Sequence, residues 1–178
     1  MKHTNLQCAL SEGIQSRLNQ QIVIEHNTSA QYLAMASWAV SQGYQNSGDF
    51  LYKQAEEERK HMLKIIDYIN DAGGHVITPN SIAMRDSAFK TLKEVFIAAL
   101  EYEMHTSKAI HRLVDYCLTH KEFATFGFLQ WFLTEQIEEG ATARSNLALF
   151  DMDSQGNTPL YIIDQSIGTK TKTASNNN

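Results

Sequence analysis

From Leu92 to Cys117 the chain steps by four and three residues in strict alternation: Leu92, Phe96, Ala99, Glu103, Thr106, Ile110, Leu113, Cys117. Residues seven apart on an α-helix drift by only about 20°, so this series lies along one face of one long helix. Every member but Glu103 and Thr106 is apolar, and the face is therefore built for burial. A carboxylate sits at its centre.

Three other segments carry the same period. The first runs from about Leu10 to Val40, with Ile14, Leu18, Ile22, Met35 and Ala39 on its apolar line, and closes near Gly43. The second starts near Asp49 and ends before Gly73-Gly74, carrying Leu51, Ala55, Met62, Ile65 and Ile69. The Leu92–Cys117 segment is third; it opens at a capping box, Thr91-x-x-Glu94, and runs to about Leu118. The fourth has a second such box, Thr119-x-x-Glu122, and continues through Leu129, Phe132, Ala143 and Phe150. Thr158-Pro159 then reads as an N-cap followed by proline at the first helical position of a short fifth helix, LYIIDQSI, stopped by Gly168.

Short connections after the first and third segments make antiparallel neighbours, whereas the long one containing Gly73, Gly74, Pro79 and Asn80 can cross the length of a bundle. The expected fold is all-α: a four-helix bundle with one long crossover, between the second and third helices, and a short fifth C-terminal helix. One domain is expected over residues 1–178, with its core at about 10–168 and a disordered polar tail at 169–178, ending TKTASNNN.

Twenty acidic residues against fifteen basic ones give a net charge of -5, without basic clusters, which argues against nucleic acid or an anionic membrane as partner. No apolar run has the length of a signal peptide or a membrane span, and a cytoplasmic location is expected. Cys8 and Cys117 match no metal or redox spacing; Cys117, on the apolar stripe, reads as a buried thiol.

Glu103 is not alone in its setting. Glu25 lies between Leu18 and Tyr32 on the first stripe, and Glu58 interrupts the second, with His61 one turn further along. Gln136 and Glu139 fall on the fourth. One acid on an apolar stripe is ordinarily a boundary residue reaching for water, or half of an ion pair. Four acids on four stripes, with no lysine or arginine on these lines, need another source of compensation, because burying an ionised carboxylate costs several kcal/mol. Shared protons relieve one or two such groups; cations relieve all four. Oxygen ligands with a single imidazole suit Fe(II), Mn(II) or Zn(II), and four glutamates balance two divalent ions.

The stretches LNQQIVIEHNTSAQYLAM, FLYKQAEEERKHMLKIIDYI and FATFGFLQWFLTEQIEEG, on the first, second and fourth segments, resemble the ferritin-like di-iron bundles, and among them the non-haem bacterial ferritins, across residues 10–168. The fourth segment offers Glu135-x-x-Glu138 and Gln136-x-x-Glu139 where many di-iron proteins repeat Glu-x-x-His, an asymmetry that ferritins share. The resemblance implies an iron-storage ferroxidase that oxidises Fe(II) with dioxygen or hydrogen peroxide. It makes Glu25, Glu58 and His61 ligands of a first iron, and has Glu58 bridge to a second held by Glu103 and Glu139, with Gln136 beside it. Tyr32 and Trp131 match an aromatic pair near that centre. Glu57, Glu135 and Glu138 match the glutamates of a third iron site. Arg59 stands where bacterioferritins carry their haem-binding methionine, so no haem is expected. The implied assembly is a hollow shell of 24 identical subunits.

Other bundle proteins fit less well. A rubrerythrin-type peroxidase needs a CxxC pair that this chain lacks, and a DNA-shielding mini-ferritin ordinarily lacks the fifth helix. A di-iron oxygenase would keep the second histidine, and a purely structural bundle would leave the four acids unexplained.

Overall fold

In a computed structural model that describes residues 9–79, 89–152 and 159–175, five helices follow one another: α1 (Glu12–Ser41), α2 (Gln45–Asp71), α3 (Leu92–His120), α4 (Phe123–Asp151) and α5 (Leu160–Ser175). No strand occurs among the described residues, and no described helix is long and apolar enough to cross a membrane. α1 packs mainly on α2, α3 on α4, and α1 also meets α3. The α1–α3 pair is antiparallel, since Tyr32 reaches Glu103 while Arg17 lies over the ring of Tyr116. α3 therefore runs parallel to α2, as a connection that traverses the bundle requires.

The helix ends follow local chemistry with three exceptions. Ser11 caps α1 by accepting from the Ile14 amide at 3.3 Å, and Thr91 caps α3 by accepting from the Glu94 amide at 3.2 Å. Glu94 closes the box one residue early, on the Lys90 amide at 2.8 Å. Thr119, by contrast, caps nothing: α3 continues through it to His120, and Lys121 in the left-handed region (φ 61°) reverses the chain into α4. The Glu122 amide returns to the Cys117 carbonyl at 2.8 Å, and Glu122 itself stands at the N-cap of α4 without a side-chain cap hydrogen bond.

α2 also departs from expectation, starting a full turn before Asp49. Its first amides are capped from α5: Asp164 accepts from the Asn46 amide (3.3 Å), Asn46 Nδ2 (2.9 Å), the Ser47 amide (2.8 Å) and Ser47 Oγ (2.6 Å). α5 itself continues past Gly168 to Ser175, correcting the expected stop. A glycine costs a helix about 1 kcal/mol and need not end it. Pro159 precedes that helix, its carbonyl accepting from the Ile162 amide at 2.9 Å, while Thr158 lies outside the described residues.

The start of the crossover is pinned to α1. Gly73 turns with φ 75°, Asn19 Nδ2 donates to the His75 carbonyl at 3.0 Å, and Asn19 Oδ1 accepts from the Ile77 amide at 2.6 Å. Inside the bundle the apolar side chains divide into two clusters. One gathers Met35, Leu51, Phe96, Phe150 and Ile163; the other Leu18, Ile22, Ile65, Leu113 and Phe132. The level between them is polar.

Candidate metal centre

That level is where the four stripes lose their apolar character. Glu25 and Glu58 are 0% exposed, Glu103 1%, Gln136 6% and Glu139 7%. On α2 the fully buried member of the motif's second turn is His61, with Met62 only half-buried, so the imidazole occupies the seam position that spacing assigned to the methionine.

The structure brings Glu25, Glu58 and His61 together, with one potential ligand atom of each within 4.8 Å of the others, and does the same for Glu58, Glu103 and Glu139. Glu58 belongs to both groups. A third group joins His61 and Glu139 to half-buried Glu135. Glu57 and Glu138 enter no such group among the described residues and are exposed beside Glu135. Arg59 is also exposed.

Among the described residues, six of the eight buried side-chain polar atoms without a hydrogen-bond partner lie here: Glu25 Oε2, both Glu58 oxygens, His61 Nδ1, Glu103 Oε2 and Glu139 Oε1. Orphans are scarce in folded proteins, and so many at one level mark a place where a further ligand belongs. No lysine or arginine is buried among the described residues to satisfy them. Nor does the imidazole serve: its Nδ1 is 3.6 Å from Glu58 and its Nε2 3.7 Å from Glu139, beyond hydrogen-bond reach.

Burial sets the protonation. It pushes Glu103 up to about 7, with the Tyr32 hydrogen bond pulling back, and Glu139 up to about 10, reinforced by Glu103 and Glu25. Glu58 is held well above the usual carboxylate range by burial and then by Glu25, Glu139 and Glu103. Glu25 is raised by burial against the pull of Glu58 and Gln21. Burial, aided by Lys64 and Lys60, lowers His61 to about 4 and keeps its imidazole neutral and ready to ligate at neutral pH. The metal-free carboxyls thus favour protons, and a cation entering must displace them.

Surrounding side chains hold this cluster in place. The Tyr32 hydroxyl donates to Glu103 Oε1; burial, followed by the field of Glu103, keeps that phenol protonated. Gln21 Nε2 donates to Glu25 Oε1 at 2.8 Å, and Gln136 Nε2 donates to Glu139 Oε2. Trp131 stands edge-on to His61 at 5.4 Å, with Lys64 Nζ 4.3 Å from the centre of its ring. Gln21 was readable as a support, since it lies four residues before Glu25 on the same face. Ser107, 2.8 Å from Gln136 Oε1, was not: the bond joins two helices, and no spacing rule points to it.

Residues 15–152 match the Ferritin family, a ferritin-like domain. The chain belongs to the ferritin family. It is 36% identical to the bacterial non-heme ferritin of Campylobacter jejuni over 158 residues, covering 89% of this chain and 94% of that one. In three dimensions it is similar to an open-pore ferritin of the hyperthermophilic archaeon Archaeoglobus fulgidus, with a TM-score of 0.84, 30% identity and coverage of 90% and 98%. A ferritin of Chlorobium tepidum gives a TM-score of 0.79 at 32% identity, covering 89% and 96%. The ferritin likeness carried by the three stretches on α1, α2 and α4 thus extends over nearly the length of these relatives.

Proposed function

We propose that this ferritin is an iron-storage ferroxidase whose substrate, Fe(II), binds in pairs at the buried centre, with Glu58 shared between the two ions. The observation that carries the reading is the pair of ligand groups meeting at Glu58 inside an otherwise apolar seam. Glu25, Glu58 and His61 hold the first ion; Glu58, Glu103 and Glu139 hold the second. Four carboxylates balance the charge of two divalent ions, so the loaded centre is neutral where the empty one must hold protons.

Each Fe(II) gives up one electron, and the two together reduce dioxygen to peroxide, or peroxide to water. Oxidation adds two positive charges that the four carboxylates no longer balance, which favours hydrolysis and departure of Fe(III). The second group lacks an imidazole and opens toward Glu135, so it suits an ion in transit. Glu57 and Glu138 extend this acidic fringe and form, with Glu135, a third iron position on the way out. Exposed apolar side chains, Phe123 and Ile137 among them, suit contacts between subunits of a shell of 24 single-domain chains around the ferric mineral.

Aerobic oxidation of Fe(II) by the metal-free protein, followed by ferric absorbance, tests the reading. A fast phase should saturate at two irons per chain and vanish in Glu103→Ala. Oxidation no faster than in buffer, or a fast phase that survives the substitution, would count against it.

A further inference from the structure

The Gln136 amide spans two surroundings. Its Nε2 faces Glu139 inside the centre, while its Oε1 accepts from Ser107 Oγ at 2.8 Å on the far side. Ser107 is half-buried on α3, one turn beyond Glu103. A primary amide offers an acceptor at one end and donors at the other, and a flip of about 180° exchanges them. Which end enters the centre decides what Gln136 does there. A carbonyl would coordinate a cation; an N–H can only donate to a carboxylate or another oxygen.

Glu139 selects the end, and Ser107, whose hydroxyl can give or accept, anchors the other end where it lies. A metal-bound Glu139 is ionised and has only acceptors, so it requires the N–H side. Ser107 has a hydroxyl proton to give, and gives it to the carbonyl. With both partners in place each end of the amide is matched, and the flipped arrangement would set a carbonyl against a carboxylate.

We infer that Ser107 is a positioning residue for the second iron: it holds the Gln136 carbonyl toward α3, turns the amide N–H onto Glu139, and so fixes Glu139 as a ligand while keeping Gln136 from becoming one. The inference rests on the two-ion reading above. It assigns α3 two contributions to the Glu58–Glu103–Glu139 site, Glu103 directly and Ser107 through α4. The Glu25–Glu58–His61 site has its own support, from Gln21 on α1, and should not feel Ser107.

Titration of the metal-free protein with Co(II), followed by calorimetry and visible absorbance, reads each site without any turnover. The wild type should bind two ions per chain. Ser107→Ala should weaken the second by about 10- to 100-fold, the range for removing a group that orients a metal ligand, and leave the first unchanged. Ser107→Thr and Ser107→Val are equal in volume and differ in the hydroxyl, so the threonine variant should bind like wild type and the valine variant like alanine, even if the alanine variant folds poorly. In a Gln136→Ala background the serine substitutions should have no further effect. Unchanged second-ion affinity in the alanine and valine variants, or an equal loss in the Gln136→Ala background, overturns the role of Ser107. Fewer than two ions bound by the wild type overturns the two-ion reading, and this inference with it.

Discussion

Replacing Asp164 with alanine should loosen α5 from the start of α2 while leaving the metal centre intact. The carboxylate is 6% exposed and accepts four hydrogen bonds, two on each oxygen, from Asn46 and Ser47. Losing an N-cap costs about 0.5–2 kcal/mol, and hydrogen bonds to a charged acceptor contribute about 1.5–3 kcal/mol. Because α5 can lift and let water reach the freed amides, the full sum is not realised, and a loss of about 2–3 kcal/mol is expected. At roughly 2–4 °C per kcal/mol for a chain of this size, the melting temperature should fall by about 5–10 °C. Asp164→Asn should lose nearly as much, since one acceptor oxygen becomes an NH2 facing two donors. Burial raises the Asp164 pKa, but the hydrogen bonds from Ser47 and Asn46 outweigh it and hold the group below the usual aspartate range. The folded value is therefore the depressed one, so its contribution is present above the unfolded value of about 3.9 and is lost as pH falls through the folded one. Circular-dichroism melts at equal protein concentration, at pH 7 and pH 3, should show a wild-type-to-variant gap that narrows in acid. Trypsin, which can cut at Lys170 and Lys172 on α5, should act faster on the variants. A variant that melts within about 1 °C of wild type with α5 equally resistant would refute the argument that α5 caps α2.

Two further outcomes follow from the same structure. Glu103 and Glu139 have folded values raised above the unfolded one, to about 7 and about 10, so what they contribute is present at low pH and lost as pH rises through those values. His61 acts in the opposite sense, but only between about 4 and its unfolded value near 6.5. Between about pH 6.5 and 8.5 the metal-free protein should therefore lose stability, and saturating Zn(II) should remove the slope; a rise over that range without metal would contradict the electrostatic picture. Gly48 packs so closely that an added Cβ would lie 2.4 Å from Val40 Cγ2, so Gly48→Ala should destabilise by about 1–3 kcal/mol, read from denaturant unfolding, despite alanine's better helix propensity.

What was legible in the chain is what repeats along a single helix. The Leu92–Cys117 stripe is buried throughout, and a carboxylate in mid-stripe could be recognised because its neighbours at seven-residue spacing were apolar. Four such interruptions pointed to one polar level, and the structure places that level between two apolar clusters. The contacts that escaped reading join positions far apart in sequence: Asp164 on the first amides of α2, Asn19 on the crossover, Ser107 on Gln136. Local signals also failed where several structures satisfy them. Thr119-x-x-Glu122 has capping spacing, yet a single left-handed residue at Lys121 turns the chain with no side-chain cap on α4. Gly168 looked like a stop, but a glycine weakens a helix without ending it.

The most direct test of the shared-glutamate centre is an anomalous-difference map from crystals of the protein soaked anaerobically in Fe(II). The account predicts two iron peaks in each chain, one against Glu25 and His61, one against Glu103 and Glu139, with the Glu58 carboxylate between them. A single peak, or iron confined to exposed acids with Glu58 unligated, would contradict it.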